Sequence, residues 1–128
     1  MSGTILSFRE LTAYQLSFEM QQQVFTVTKD FPKEERYALT DQIRRSSRSV
    51  GANIAEAWQK RRYLAHFVSK LTDADGELAE TRHWIETAFA SGYISEQSKT
   101  DLIEKSIRIG RMLGKIIGSP EKFCPEKP

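Results

Sequence analysis

The sequence has few of the residues that cross-link or interrupt a small protein. Among its 128 residues there are one cysteine, four prolines and two histidines. A single cysteine, Cys124, excludes a disulfide within the chain, so stability must come from a hydrophobic core, which a domain of this length can form. Three prolines lie in the last nine residues and only Pro32 lies earlier. This spacing disfavours all-β folds, which need frequent turns.

Long apolar runs are also missing. No stretch approaches the roughly 20 apolar residues that a membrane span requires. The first six residues lack the basic start and apolar run of a secretory signal. We therefore expect no membrane partner and, with one unpaired thiol, a cytoplasmic location.

The apolar periodicity predicts four helical segments with short joints. They span about 9–29, a stretch opening at Pro32 and ending near 60–62, then 63–91 and 95–118. The joint between the second and third segments has no glycine or proline. It is placed near 60–62 only because the four helices of a bundle should have similar lengths. We predict an all-α, single-domain, up-and-down antiparallel four-helix bundle over residues 1–118, followed by a flexible C-terminal tail over residues 119–128.

The first segment carries two apolar stripes, although a helix at the surface of a monomeric bundle needs only one. The second stripe indicates either a central position or contact with another subunit. Trp84 lies on the polar side of the third segment, where it is explained by a subunit contact or by shelter under charged neighbours. The candidate subunit-interface residues are Tyr14, Phe18, Phe25 and Trp84.

Catalytic constellations are scarce. The Glu-x-x-His spacing of Glu80 and His83 occurs once, whereas di-iron bundles need it twice. His66 lies on the polar side of the third segment, as a phosphorelay histidine would, but lacks the lysine-glycine pair expected just after it. No base is predicted near Cys124. We therefore expect no enzymatic activity, catalytic residue, cofactor, metal or small-molecule substrate.

Charge is distributed unevenly. Residues 33–62 contain eight basic and four acidic residues, whereas residues 63–95 contain two basic and five acidic ones. The basic side chains suit phosphates, but they could equally pair with Asp73, Asp75, Glu77 and Glu80. No aromatic residue lies within the cluster 44–48 or the run 60–62, so single-strand stacking is not indicated. The candidate nucleic-acid-binding residues are Arg44, Arg45, Arg48, Lys60, Arg61 and Arg62.

Several short blocks follow one another in a recognisable order. They are Phe-Pro-Lys-Glu-Glu at 31–35, Leu-Thr-Asp-Gln-Ile-Arg-Arg-Ser at 39–46, Asn-Ile-Ala-Glu at 53–56, Gly-Glu-Leu-Ala-Glu-Thr at 76–81 and Gly-Tyr-Ile at 92–94. Over about residues 8–117 the chain resembles the 23S rRNA-intervening sequence proteins, four-helix bundles encoded within bacterial 23S ribosomal RNA genes.

The resemblance implies an up-and-down bundle that assembles into a five-membered ring and has no established enzymatic activity. A related group, the accessory proteins of diversity-generating retroelements, is similar in architecture and binds nucleic acid and a reverse transcriptase through basic surfaces. Asn53 and Glu56 of the 53–56 block are expected to form a structural polar motif, tied into a hydrogen-bond network at a helix end or between subunits.

These observations predict a non-enzymatic, homo-oligomeric bundle, a pentamer by resemblance, that binds RNA or DNA weakly through its basic helix face. The first alternative is a protein-interaction scaffold ring without a nucleic-acid role. A histidine phosphotransfer bundle centred on His66 is the second.

Overall fold

A computed structural model describes residues 5–125, and four α-helices form its body. They are α1 (Thr12–Thr28), α2 (Asp41–Gln59), α3 (Leu64–Ala90) and α4 (Glu96–Gly118). Each helix packs against the one before and after it, and α4 closes against α1. No strand occurs within the described residues. The predicted all-α, up-and-down antiparallel four-helix bundle is therefore confirmed.

The inner apolar stripes of the helices form the core, although Leu64, seven residues before Leu71, is 45% exposed. On α3, Leu71, Leu78 and Ile85 repeat every seven residues and are each at most 1% exposed. On α1, Met20 and Val24 of the inner stripe point inward and are fully buried. Left-handed bundles use this heptad spacing to keep one face of each helix on its neighbours. None of the helices in residues 5–125 is both long and apolar enough to cross a bilayer.

Two predicted helix boundaries have clear local causes. Gly92 adopts φ +79° after α3, and the following amide of Tyr93 bonds back to the carbonyl of Ala88 at 2.9 Å. This is the Schellman arrangement that favours glycine after a helix. Ser95 then caps α4 by accepting a hydrogen bond from the amide of Ser98 at 3.0 Å. The turn between α2 and α3, which no glycine or proline marks in the sequence, lies at residues 60–63, next to the predicted 60–62.

The joint between α1 and α2 differs from the prediction of a helix opening at Pro32. Lys33–Glu35 forms a 3₁₀ turn, Arg36–Thr40 forms a π-helical turn, and α2 begins only at Asp41. A π turn takes an additional residue per turn and so re-phases its side chains. Leu39 is thereby buried, while Tyr37 faces solvent and is 72% exposed.

The segment after α4 packs back onto the bundle where it is described. Pro120–Lys122 forms a 3₁₀ turn. The Phe123 ring stacks against that of Phe67 with 6.4 Å between centroids. Residues 126–128 lie outside the described residues, and the flexibility of the tail stays a prediction.

Candidate nucleic-acid interface

The three arginines near the start of α2 point to two different neighbours. Arg44 and Arg48 are four residues apart and so share one side of the helix. They face α1. Arg45 is rotated by about 100° relative to Arg44 and faces α3. We call these two sides the α1–α2 edge and the α2–α3 edge.

On the α2–α3 edge, Arg45 is paired with carboxylates. Its Nη1 lies 2.8 Å from Glu77 Oε2, and its Nη2 contacts Glu80. The indole Nε1 of Trp84 also donates to Glu80, at 3.1 Å. The Trp84 hydrogen bond, followed by that from Arg45, lowers the pKa of Glu80. Arg45 therefore pairs with carboxylates of α3, as the alternative to phosphate contact predicts.

On the α1–α2 edge, three cations converge on one aromatic ring. The charged groups of Lys29, Arg44 and Arg48 lie 4.9, 4.8 and 5.7 Å from the ring centroid of Phe25. Arg44 Nε also donates to the hydroxyl of Thr28 at 2.8 Å. None of the three cations forms an ion pair among residues 5–125. Cation–π contact holds like charges together here without neutralising them.

Phe25 changes the expectation that aromatic residues are absent from the basic cluster. The ring belongs to α1, so no inspection of the sequence around Arg44 and Arg48 reveals it. Lys29 was also missed. Its spacing of four residues from Phe25 on a helix is the one local signal that pairs the two.

The other predicted basic run lies at the far end of α2. Twelve residues separate Arg48 from Lys60, about 18 Å at the rise of an α-helix. Arg61 stacks on Trp58 at 3.9 Å from the ring centroid and donates to the Trp58 carbonyl at 2.8 Å. Lys60 and Arg62 are exposed in the turn. The structure thus divides the six predicted cations among three places.

Asn53 and Glu56 belong to a polar network within the chain. Lys70 of α3 lies 2.8 Å from a Glu56 carboxylate oxygen and donates to Asn53 Oδ1 at 3.3 Å. Asn53 in turn donates to the carbonyl of Ser49 at 2.9 Å. The hydrogen bond from Lys70 lowers the pKa of Glu56. The network crosses the α2–α3 edge near the C-terminal end of α2, where Glu56 lies in the last turn.

The outer stripe of α1 is left partly uncovered by its own chain. Phe18 is 47% exposed. Tyr14 packs between Phe8 and Phe18, with ring centroids 4.8 and 6.3 Å away. Trp84 lies elsewhere, half-buried on α3 beside His83. Tyr14 and Phe18 therefore share one surface, Phe25 lies against the cations of the α1–α2 edge, and the role of all four residues in assembly stays a prediction.

The residues considered for catalysis are not gathered into one site. His66 is exposed beside Tyr63, with ring centroids 5.3 Å apart. Glu80 is engaged by Arg45 and Trp84, as described above. Burial raises the pKa of the Cys124 thiol. Within residues 5–125 no three His, Cys, Asp or Glu side chains are grouped to hold a metal ion.

Comparison with known proteins gives one family. The model of the 23S rRNA-intervening sequence protein family matches residues 9–115. The chain is also similar to a crystal structure of a protein of unknown function, from the S23 ribosomal protein family, of Bacteroides thetaiotaomicron. That similarity has a TM-score of 0.75 at 30% identity and covers 84% of this chain and 96% of the other. None of the curated proteins matches.

Proposed function

The chain belongs to the 23S rRNA-intervening sequence protein family, and we propose that it is a non-enzymatic, oligomeric bundle that binds RNA or DNA through its α1–α2 edge. One observation carries the proposal. Lys29, Arg44 and Arg48 are held on the Phe25 ring without an ion pair among the described residues.

Phosphate groups are the complementary ligand for such an arrangement. Three cations on one ring repel one another, and an anion that lies among them relieves that repulsion. Nucleic acid offers phosphates in series, and their neutralisation releases condensed counterions. Because Arg44 is also fixed by Thr28, less side-chain freedom is lost when a phosphate binds.

Oligomerisation would multiply this modest surface. The exposed Phe18 and its neighbour Tyr14 supply an apolar stripe that a second copy of the chain can cover. A closed ring, with five members as the family resemblance implies, repeats each basic edge around its circumference. Several weak edges acting on one strand raise the overall affinity without any new contact.

The test is a titration of fluorescently labelled mixed-sequence RNA at several salt concentrations. We expect binding to weaken steeply with salt, and Arg44→Gln/Arg48→Gln to weaken it about tenfold. Arg45→Gln is the matched control, because Arg45 lies on the same helix but is paired with Glu77 and Glu80. It should stay within about twofold of the wild type. Binding without salt dependence, or an equal loss in all these variants, would contradict the proposal.

A scaffold ring without a nucleic-acid role is the second candidate, and the pairing of Arg45 with Glu77 and Glu80 favours it, because that guanidinium serves helix pairing. Light scattering at micromolar concentration separates the two. A stable oligomer that binds no RNA supports the scaffold, whereas a monomer contradicts the subunit contact in both candidates. Phe18→Ser should shift the wild-type oligomer towards smaller species, because it removes an apolar side chain from the surface proposed as the contact.

A further inference from the structure

The joint between α1 and α2 forms an open groove next to the cation cluster. Its cavity of about 720 Å³ lies between the end of α1, the 3₁₀ and π turns, and the start of α2. Four cations and one carboxylate line it. They are Lys29, Lys33, Arg36, Arg44 and Asp41.

Of the four carboxylates of the joint, which belong to Asp30, Glu34, Glu35 and Asp41, one lines the groove. Glu35 accepts a hydrogen bond from the Tyr93 hydroxyl at 2.7 Å, which directs its charge towards the α3–α4 turn. Asp41 is the single carboxylate among the lining residues. None of the four lining cations forms an ion pair within the described part of the chain. The groove therefore has the charge of an anion site.

An exposed aromatic ring lies at the same place. Tyr37 lines the groove, is 72% exposed, and is carried by the π-helical turn. The Arg36 guanidinium lies 5.4 Å from its ring centroid. Most of the ring remains open to solvent. An aromatic ring beside cations in an open groove is the arrangement on which unpaired bases stack while their phosphates are neutralised.

We propose that this groove is a single-strand site, in which a base stacks on Tyr37 and the adjoining phosphates lie among Lys33, Arg36 and Arg44. The inference rests on the proposed function, because it names the form of nucleic acid that the basic edge binds. A duplex presents phosphates but keeps its base faces stacked on one another. Stacking on Tyr37 therefore favours an unpaired strand.

The test compares one labelled RNA strand of about 15 nucleotides, near the upper site size of single-strand domains, with the same strand annealed to its complement. Fluorescence anisotropy should give tighter binding of the single strand. Tyr37→Leu should weaken single-strand binding about tenfold and duplex binding less than about twofold, whereas Tyr37→Phe keeps the stacking ring and stays near the wild type. Because Tyr37 is exposed, these variants should fold normally, which circular dichroism checks.

Tyr63 provides a matched control. It is also an exposed tyrosine, 58% accessible, but it lies in the turn at the other end of α2. Tyr63→Leu should leave single-strand binding unchanged. If Tyr63→Leu weakens it and Tyr37→Leu does not, the single-strand site is not this groove and the inference is overturned.

Two further outcomes separate this inference from the proposed function. If single strand and duplex bind equally and Tyr37→Leu has no effect, while Arg44→Gln/Arg48→Gln weakens both, the inference fails and the proposed function stands. If the wild type binds neither form in a salt-dependent way, the proposed function fails and the inference with it.

Discussion

On α2, Arg45 faces two carboxylates of α3, whereas Arg44 and Arg48 face the aromatic ring of Phe25 on α1. The α2–α3 edge carries further paired contacts, since Lys70 pairs with Glu56 and the buried hydroxyl of Thr81 donates to Ser46 at 2.9 Å. The α1–α2 edge instead combines cations, an aromatic ring and a hydroxyl, without an ion pair among the described residues.

The difference shows that the neighbouring helix decides what an arginine on α2 can do. A guanidinium held by two carboxylates contributes to helix pairing and has little charge left for a ligand. Partly exposed ion pairs of this kind add modestly to stability, but they fix which side chains meet. On the other edge the same residue type keeps its charge, because an aromatic ring orients a cation without neutralising it.

The largest expected effect comes from opening the α2–α3 edge. Ser46 is fully buried and its hydroxyl accepts from Thr81. Ser46→Leu would force additional carbons between the helices and remove the hydrogen bond. We expect a loss of about 2–3 kcal/mol in the free energy of unfolding, measured by urea denaturation.

Two variants bracket this result. Ser46→Ala removes only the hydroxyl and should cost about 1 kcal/mol. Arg48→Leu changes an exposed position on the α1–α2 edge and should stay within about 0.5 kcal/mol of the wild type. If Ser46→Leu is as stable as the wild type, the α2–α3 edge is not closely packed and the comparison fails.

The helices could be predicted because their signals are local. The heptad spacing of Leu71, Leu78 and Ile85 fixes the buried face of α3, and Gly92 ends that helix by its left-handed conformation. The π turn before α2 could not be predicted. It depends on placing Leu39 in the core while the segment is anchored by the Glu35–Tyr93 hydrogen bond, which joins residues 58 positions apart.

For the candidate interface, the sequence predicts which segment is basic but not which neighbouring helix each basic side chain faces. The excess of basic residues in α2 is visible in the sequence, but the division between Arg45 and the pair Arg44 and Arg48 depends on which helix lies beside each. Phe25 and Lys29 enter through the packing of α1 on α2. Sequence spacing within one helix does not contain that pairing.

The next largest effect is expected on the affinity for RNA when the carboxylates that pair with Arg45 are removed. Glu77→Gln/Glu80→Gln removes both carboxylates that pair with Arg45, so that its guanidinium becomes available to a ligand. We expect the affinity for labelled RNA to rise about threefold, and its salt dependence to steepen by about one phosphate contact. A salt-dependent anisotropy titration measures both quantities.

The control separates a local from a general gain of positive charge. Glu96→Gln/Glu104→Gln removes two exposed carboxylates of α4, away from Arg45. It should raise the affinity less than the α3 pair does. An equal rise in RNA affinity in both variants would indicate that added net positive charge alone causes it. The pairing of Arg45 would then not explain the difference between the two edges of α2.

The smallest expected effect is the pH dependence that the α2–α3 edge gives to the free energy of unfolding. The hydrogen bond from Trp84 and the contact with Arg45 hold the pKa of Glu80 below its ordinary value. A lowered folded-state pKa stabilises the protein above the unfolded-state value of about 4.5, and the stabilisation is lost as the pH falls through the folded-state pKa. Because the Glu80 side chain is 34% exposed, solvent screening limits the contribution to about 0.5 kcal/mol.

Urea unfolding at about pH 6 and about pH 3 measures this contribution. Between the two pH values the free energy of unfolding should drop less for Glu80→Gln than for the wild type. Glu104→Gln, which removes a carboxylate without an ion pair among residues 5–125, should keep the wild-type drop. Equal drops in all three proteins would mean that Arg45 and Trp84 do not hold Glu80 ionised, and the ion pairing assigned to this edge would be wrong.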